Sequence, residues 1–189
     1  SYMPAFLVGL GLARSLAAVN EIPLWQISHQ ENHLEAGLWS AQGPDADRFL
    51  LLHASGGTTD LLLAEKQTDS TYALTQAGGS KDLHAGQFVD RVGVALGLQF
   101  PAGAALEQLA ATAADCIELP VAVRQGDVSL SGPATAALHK IEAGADPAAL
   151  AAGVQYALAE TFVRMIRNVA AQKEIFDVLL VGGVVSNAY

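Results

Sequence analysis

The segment RFLLLHASGGTTDLLLAEK, residues 48–66, restricts the fold more than any other part of the chain. Two apolar runs of strand length flank Ser55-Gly56-Gly57, and a glycine turn between two such runs is typical of a β-hairpin. The STYALTQ run adds a third strand after a polar turn. Because short turns force neighbouring strands to be antiparallel, we predict an antiparallel meander over residues 49–65 and 71–76.

Helices are predicted before and after this meander along the chain. Apolar residues recur at helical spacing over residues 6–19, which indicates a helix packed on something large. HQENHLEAGLWSA predicts a second helix, in which Ser28 at the N-cap and Glu31 form a capping box. Later helices are indicated over residues 83–98, 101–114, 133–144 and 147–172, the last two with Pro133 and Pro147 at their first helical position.

Three further runs complete the predicted secondary structure. IPLWQIS, residues 22–28, indicates a strand, and AVRQGDVSLSG indicates a hairpin turning at Gly126-Asp127. FDVLLVGG indicates a buried strand that runs into a second glycine pair, Gly182-Gly183. Since this strand follows a long helix, we expect residues 176–181 to belong to a separate sheet region. The pattern as a whole predicts one α/β domain over residues 1–189.

Composition excludes several classes of protein. Hydrophobic residues make up 51% of the chain and charged residues 15%, which is typical of a globular domain. No apolar run approaches the ~20 residues that span a bilayer, so we expect a cytoplasmic protein without a membrane partner. With 19 acidic against 10 basic residues, the net charge of −9 should prevent unaided binding to a phosphate backbone. Cys116, the single cysteine, is predicted to be buried among apolar neighbours.

Two histidines four residues apart, His29 and His33, form a candidate metal pair. This spacing places both imidazoles on one face of a helix, and imidazole suits iron or zinc. The alternative is an exposed helix start with no ligand. A zinc peptidase needs glutamate directly after the first histidine, but Gln30 stands there and Glu31 lies about 100° further round the helix. The pattern therefore disfavours a peptidase.

The other histidines show no partner pattern, and we expect them to be solvated or locally hydrogen-bonded: His53, His84 and His139. The two glycine pairs are weak signals when taken singly, although consecutive glycine N–H groups can point at a phosphate. Their combination in this order carries more information.

LHASGGTTDLLL resembles the second phosphate motif of the actin, Hsp70 and sugar-kinase ATPase superfamily, and LLVGGVVSN resembles its adenosine motif. Three more runs resemble the TsaD-type family of tRNA threonylcarbamoyltransferases, formerly called glycoproteases: LVGLGLARSLAAVNEIPLWQISHQENH, AGQFVDRVGVALGLQFPAG and VSLSGPATAALHKIE. The five motifs occur in the family's order and cover nearly the whole chain. The resemblance implies an actin-like ATPase (ribonuclease H-like) fold.

Carried over residue by residue, the resemblance implies two sets of ligands. The metal set would be His29 and His33, holding one divalent ion, iron or zinc. The nucleotide set, for ATP or an adenylate, would be Ser55, Gly56, Gly57, Asp90, Gly103 and Asn187. The implied reaction transfers a threonylcarbamoyl group to adenosine in tRNA, and tRNA binding would need help from partner proteins or further segments.

The chain also departs from the family pattern. The family's first phosphate strand would precede Ser1, and its third metal ligand, an aspartate, would follow Tyr189, so we expect a fragment of a two-lobed parent. Thr58 replaces the turn histidine, Gln87 replaces a glutamate, and Leu83 stands beside Asp82 in place of a second acid. These departures leave open a divergent paralogue with drifted activity.

Three functions therefore stay open: a threonylcarbamoyltransferase, a non-catalytic partner protein of the same fold, and a sugar-kinase-like phosphotransferase. For the fragment itself we expect no activity, weak or absent nucleotide binding and no stoichiometric ion. We also expect a homodimer or heterodimer through the helical side, including the helix of Trp39 and the helix of residues 6–16, because apolar surface would be left uncovered.

Overall fold

The computed structural model describes residues 3–187, with side chains from residue 7 onward. Six helices occur in this part of the chain: α1 Met3–Val19, α2 His29–Ala41, α3 Ala85–Ala95, α4 Gly103–Ala110, α5 Ser131–Glu142 and α6 Pro147–Lys173. The strands are β1 Arg48–Ala54, β2 Thr59–Lys66, β3 Tyr72–Ser80, β4 Ala122–Arg124, β5 Asp127–Ser129 and β6 Val178–Val181. They form one sheet in the order β4-β5-β3-β2-β1-β6.

The antiparallel meander is confirmed. β1 and β2 pair from Arg48↔Glu65 to Ala54↔Thr59, so the glycine turn closes the hairpin as the sequence indicates. β3 pairs antiparallel with β2 and continues to Ser80, four residues beyond the predicted end. The second predicted hairpin is also present, as the short pair β4 and β5.

The expectation of a separate sheet region for β6 is wrong. β6 pairs in parallel with β1, from Leu50↔Val178 to His53↔Val181, and so forms an edge of the same sheet. A long helix between two strands is the usual crossover that returns the chain parallel to an earlier strand. The glycine pairs that follow β1 and β6 therefore lie at the same end of the sheet, beyond the carboxyl ends of these two neighbouring strands.

Strand alternation gives the sheet two different faces. Leu50, Leu52, Leu61 and Leu63 face α6, where they pack with Met165 and Val169. The intervening residues Phe49, Leu51, Leu62 and Ala64 pack with Leu34 of α2 on the opposite face. A third cluster joins α3, α4, α5 and α6 beside the sheet, around Phe88, Leu106, Leu130 and Leu150. All of these residues are buried.

Local signals define the ends of the helices. The predicted capping box of α2 is present, since the Ser28 hydroxyl accepts from the Glu31 N–H and the Glu31 carboxylate accepts from the Ser28 N–H. Pro147 opens α6, and the Asp146 carboxylate accepts from the Ala149 N–H at 2.8 Å. α5 begins at Ser131 rather than at Pro133. Pro133 is tolerated in the first turn because the N–H groups there have no intrahelical partner, so the N–H that proline lacks is not missed.

The N-terminal arm, residues 3–28, differs from the rest of the molecule. α1 forms as predicted, but residues 22–28 form no strand, and every side chain described from residue 7 to residue 28 is exposed or half-buried. The expected packing of α1 is therefore wrong for the described residues. A strand needs a neighbour for its backbone hydrogen bonds, and the sheet order places none beside this segment.

Two smaller expectations concern exposure. Cys116 is exposed rather than buried, because it lies in a loop of residues 111–121 between α4 and β4. Within residues 3–187, none of the helices combines the length and the apolar character that crossing a bilayer requires.

Candidate metal and nucleotide site

Three histidines meet where α2 crosses the end of β1. The first two turns of α2 present His29 and His33, and strand alternation turns His53 toward the same face as Phe49 and Leu51. The ring centroids of His33 and His53 are 4.1 Å apart, those of His29 and His33 4.6 Å, and those of His29 and His53 5.4 Å. One ring nitrogen from each residue lies within 4.8 Å of the other two.

His53 is the residue that sequence reasoning missed. It was expected to be solvated or locally hydrogen-bonded, yet its side chain is fully buried. Among the described residues neither of its ring nitrogens has a hydrogen-bond partner. Burial, and then the neighbouring His33 and His29, lower the pKa of His53 to about 4. Burial and His29 also lower the pKa of His33. These two imidazoles are therefore neutral at neutral pH, which is the form that binds metal.

This donor set fits a divalent transition metal. Three imidazoles suit zinc, iron, cobalt or nickel, and three protein ligands leave a position for substrate. Buried nitrogens without partners are costly in a protein core unless a ligand satisfies them. The carboxylate of Glu31 is not part of the set, because it accepts the Ser28 N–H in the capping box, and this bond lowers its pKa.

The glycine turn, residues 55–58, is held in place by the start of α3. The Ser55 N–H donates to the Thr58 carbonyl at 2.8 Å, and the Ser55 carbonyl accepts from the Gly86 N–H at 3.0 Å. The Ala85 N–H donates to the Thr59 hydroxyl at 2.8 Å. A Cβ atom at Gly86 would lie 2.6 Å from the Gly56 Cα, so the helix can approach the turn this closely only with glycine at residue 86.

A cavity of about 550 Å³ opens beside this turn. Five of the six predicted nucleotide residues line it: Ser55, Gly56, Asp90, Gly103 and Asn187. Gly57 is not among the lining residues. Most of the remaining wall is apolar and includes Leu158, Phe162 and Ile166 of α6. A Cβ atom at Gly56, Gly103 or Gly183 would meet no heavy atom within 4 Å, so these glycines face open space.

Few polar side chains enter the cavity, and two of them support its walls. The Asp90 carboxylate accepts from the Ala102 N–H at 2.7 Å and so ties α3 to the start of α4. Gln155, buried on α6, donates from Nε2 to the Asn187 Oδ1 at 3.0 Å. Gln155 was not predicted from the sequence, although an amide inside the long apolar pattern of α6 was a usable signal.

A model of the family TsaD, tRNA N6-adenosine threonylcarbamoyltransferase, matches residues 2–189. The chain belongs to the TsaD family. A relative from Methanopyrus kandleri with that name is 35% identical over 186 residues, which are 97% of this chain and 52% of the relative. One from Thermus thermophilus is 37% identical, with 97% and 55% covered. The chain therefore spans about half the length of these curated relatives.

A third relative, a probable bifunctional tRNA threonylcarbamoyladenosine biosynthesis protein from Methanothermobacter thermautotrophicus, is 33% identical over 97% of this chain and 33% of its own length. The similar solved structures include component A of (R)-2-hydroxyglutaryl-CoA dehydratase from Acidaminococcus fermentans, with a TM-score of 0.54 and 18% identity over 90% of this chain and 58% of that one. Another is the 2-hydroxyisocaproyl-CoA dehydratase activator from Clostridium difficile, with bound ADPNP. Its TM-score is 0.53 and its sequence identity 14%, over 86% of this chain and 54% of that one. This likeness confirms the α/β class and the actin-like ATPase fold.

Proposed function

We propose that this TsaD-family chain supplies the metal-binding and nucleotide-binding residues of a tRNA threonylcarbamoyltransferase. One observation carries the proposal: His53 of the histidine cluster, near the end of β1, and Ser55 of the glycine turn, directly after β1, are only two positions apart. An ion held by the cluster and a nucleotide held by the turn would thus be neighbours. An ion in that position could polarise the carbonyl group of an adenylate bound beside it.

In the proposed reaction, the N6 amine of a tRNA adenosine attacks the carbamoyl carbon of a threonylcarbamoyl adenylate. A C–N bond forms, the C–O bond to the phosphate breaks, AMP leaves, and the amine loses a proton to solvent. His29 and His33 would hold a divalent ion, which would supply Lewis-acid polarisation. The Ser55–Thr58 turn would hold the phosphate, the apolar wall of α6 the adenine, and Asp90 the ribose.

The charge of the chain bears on the tRNA substrate. A net charge of −9 disfavours contact with a phosphate backbone, so we propose that other segments or partner proteins hold the tRNA. Since the reaction needs tRNA, the proposed site of action is the cytoplasm.

A non-catalytic partner role is a second candidate, favoured by exposed apolar side chains of the N-terminal arm and of α2. Trp25 is 84% exposed and Trp39 of α2 is 85% exposed, and Leu7, Val8 and Leu12 of α1 are also largely exposed. An apolar surface of this kind is typical of a protein interface, and the predicted dimer through α1 and α2 stays a prediction. No described feature favours the sugar-kinase-like function.

The nucleotide part is tested by calorimetric titration of this chain with ATP. We expect a dissociation constant above about 100 µM, weaker than about −5.5 kcal/mol, because the chain spans half the length of its relatives. Gly103→Val should remove this binding, because its side chain would enter the cavity. Gly132→Val is the matched control, since Gly132 also faces open space near a helix start but does not line the cavity.

Equal ATP affinity in Gly103→Val and in the unchanged chain would contradict the assignment of the cavity to the nucleotide. Micromolar binding by the unchanged chain would contradict the expectation that further segments complete the site.

A further inference from the structure

We propose that His53 is a third ligand of the ion held by His29 and His33, so that this chain by itself provides a three-imidazole metal site. The inference rests on the proposed metal function and adds to it a residue that was not among the two metal ligands implied by the resemblance. It also revises the expectation that the chain lacks a third ligand and holds no stoichiometric ion.

The geometry of the cluster supports a shared ion. A metal–nitrogen distance of about 2.1 Å in a tetrahedral site separates ligand nitrogens by about 3.4 Å. The three candidate nitrogens already lie within 4.8 Å of one another. His29 is exposed and His33 half-buried, so both side chains have room for the small rotation that brings the three nitrogens together. The exposed side of His29 also gives an ion a route into the cluster from solvent.

The burial of His53 indicates why the chain keeps a histidine there. The other residues of β1 on this face are Phe49 and Leu51, both apolar and fully buried. A leucine in place of His53 would pack against the same surface without two buried nitrogens that lack partners. Leaving such atoms unsatisfied costs about 1–3 kcal/mol per group. An ion bound to one ring nitrogen would offset the cost for that nitrogen.

The arrangement of the backbone makes the third ligand rigid. His33 and His29 belong to a helix whose Gly37 packs against β6, where a Cβ atom would lie 2.6 Å from the Val181 Cγ1. His53 belongs to β1, the strand between β2 and β6 in the same sheet. α2 is held close to β6, the strand beside β1. The two histidines of α2 and His53 of β1 therefore keep fixed positions relative to one another, as metal sites require.

The test uses the metal-free 189-residue chain titrated with Co²⁺, followed by visible absorption, and X-ray absorption of the loaded chain to count imidazoles. We expect one ion per chain and three imidazoles. Removal of a residue that only orients a metal ligand weakens metal binding about 10–100-fold, so loss of the His53 ligand in His53→Leu should weaken Co²⁺ binding by at least about 100-fold. His53→Asn, which keeps a polar group, should weaken it similarly. Circular dichroism checks that both variants fold.

The control is His139→Ala, which removes an exposed histidine of α5 outside the cluster and should leave Co²⁺ affinity unchanged. A count of two imidazoles overturns the role of His53. So does unchanged affinity in both His53 variants while His29→Ala and His33→Ala release the ion, a result that leaves the two-histidine site intact. Absence of Co²⁺ binding by the unchanged chain overturns this inference and the proposed metal function together.

Discussion

The two faces of the sheet carry different kinds of candidate site at the end of β1. On the α2 face, His29, His33 and His53 put three polar side chains in contact, two of them wholly or partly buried. On the α6 face, the cavity is bounded by apolar side chains and by glycines that face open space. The first site depends on side chains that are present, and the second depends on side chains that are absent. Removing atoms should therefore damage the first, and adding atoms should damage the second.

The largest effect is expected from adding atoms beside the glycine turn. In Gly86→Val the new Cβ would lie 2.6 Å from the Gly56 Cα and 2.9 Å from the Ser55 carbonyl oxygen, both backbone atoms. Overpacking of this kind should lower the free energy of unfolding by about 3 kcal/mol. Urea denaturation measures the loss, and Gly132→Val, in open space on α5, should change it by less than about 0.5 kcal/mol. Equal stability of the two variants would remove the contrast between the faces.

Replacing the buried histidine should have the opposite sign. His53→Leu removes two buried nitrogens without partners and puts an apolar side chain of similar size in their place. We expect the metal-free chain to gain about 1–2 kcal/mol in free energy of unfolding at pH 7. Thermal unfolding in the presence of a chelator gives the measurement. A loss of stability would mean that the His53 side chain stabilises the fold by packing. The histidine cluster would then differ less from the surrounding apolar core.

Replacing Asp82 should have a smaller effect on stability. Asp82 is the reference for His53, because it is a polar side chain with many hydrogen-bond partners. Its carboxylate accepts from the Leu130 N–H at 2.9 Å, from the Leu83 N–H at 2.6 Å and from the Ser129 hydroxyl at 2.6 Å, and the Ser131 hydroxyl also donates to it. Partial burial by itself would raise the pKa of Asp82, but these bonds hold it well below its usual range. Asp82→Asn should lower the free energy of unfolding by about 1 kcal/mol at pH 7, allowing for solvent screening.

The sign of the pH dependence follows from the depressed pKa. The unfolded chain takes up a proton near the ordinary value of 3.8, while the folded carboxylate resists protonation. The stabilisation is therefore complete above pH 3.8 and is lost as the pH falls toward the lower folded pKa. Urea denaturation between pH 3 and pH 7 should show the unchanged chain and Asp82→Asn converging at the acid end. A constant difference would argue against a charged Asp82 in the fold.

Local patterns in the sequence were sufficient for much of the fold. Ser28 and Glu31 predicted the start of α2, Pro147 the start of α6, and the glycine turn the β1–β2 hairpin, because caps and short turns depend on residues a few positions apart. The position of β6 was not predictable in this way. Its pairing with β1 joins residues more than 120 positions apart, and either place in a sheet is compatible with its apolar run.

The candidate site divides along the same line. The spacing of His29 and His33 was enough to predict one shared helical face, and the motif resemblance was enough to bring Ser55, Asp90 and Asn187 to one cavity. His53 was dismissed because no spacing links a strand residue to a helix that begins 24 positions earlier. The sequence determined the histidine pair of α2 and the β1–β2 hairpin through short-range hydrogen bonds and periodicity. Only the packing of α2 against the sheet decided that a third imidazole lies beside the pair, because that contact depends on burial of Leu34 and Gly37 against distant strands.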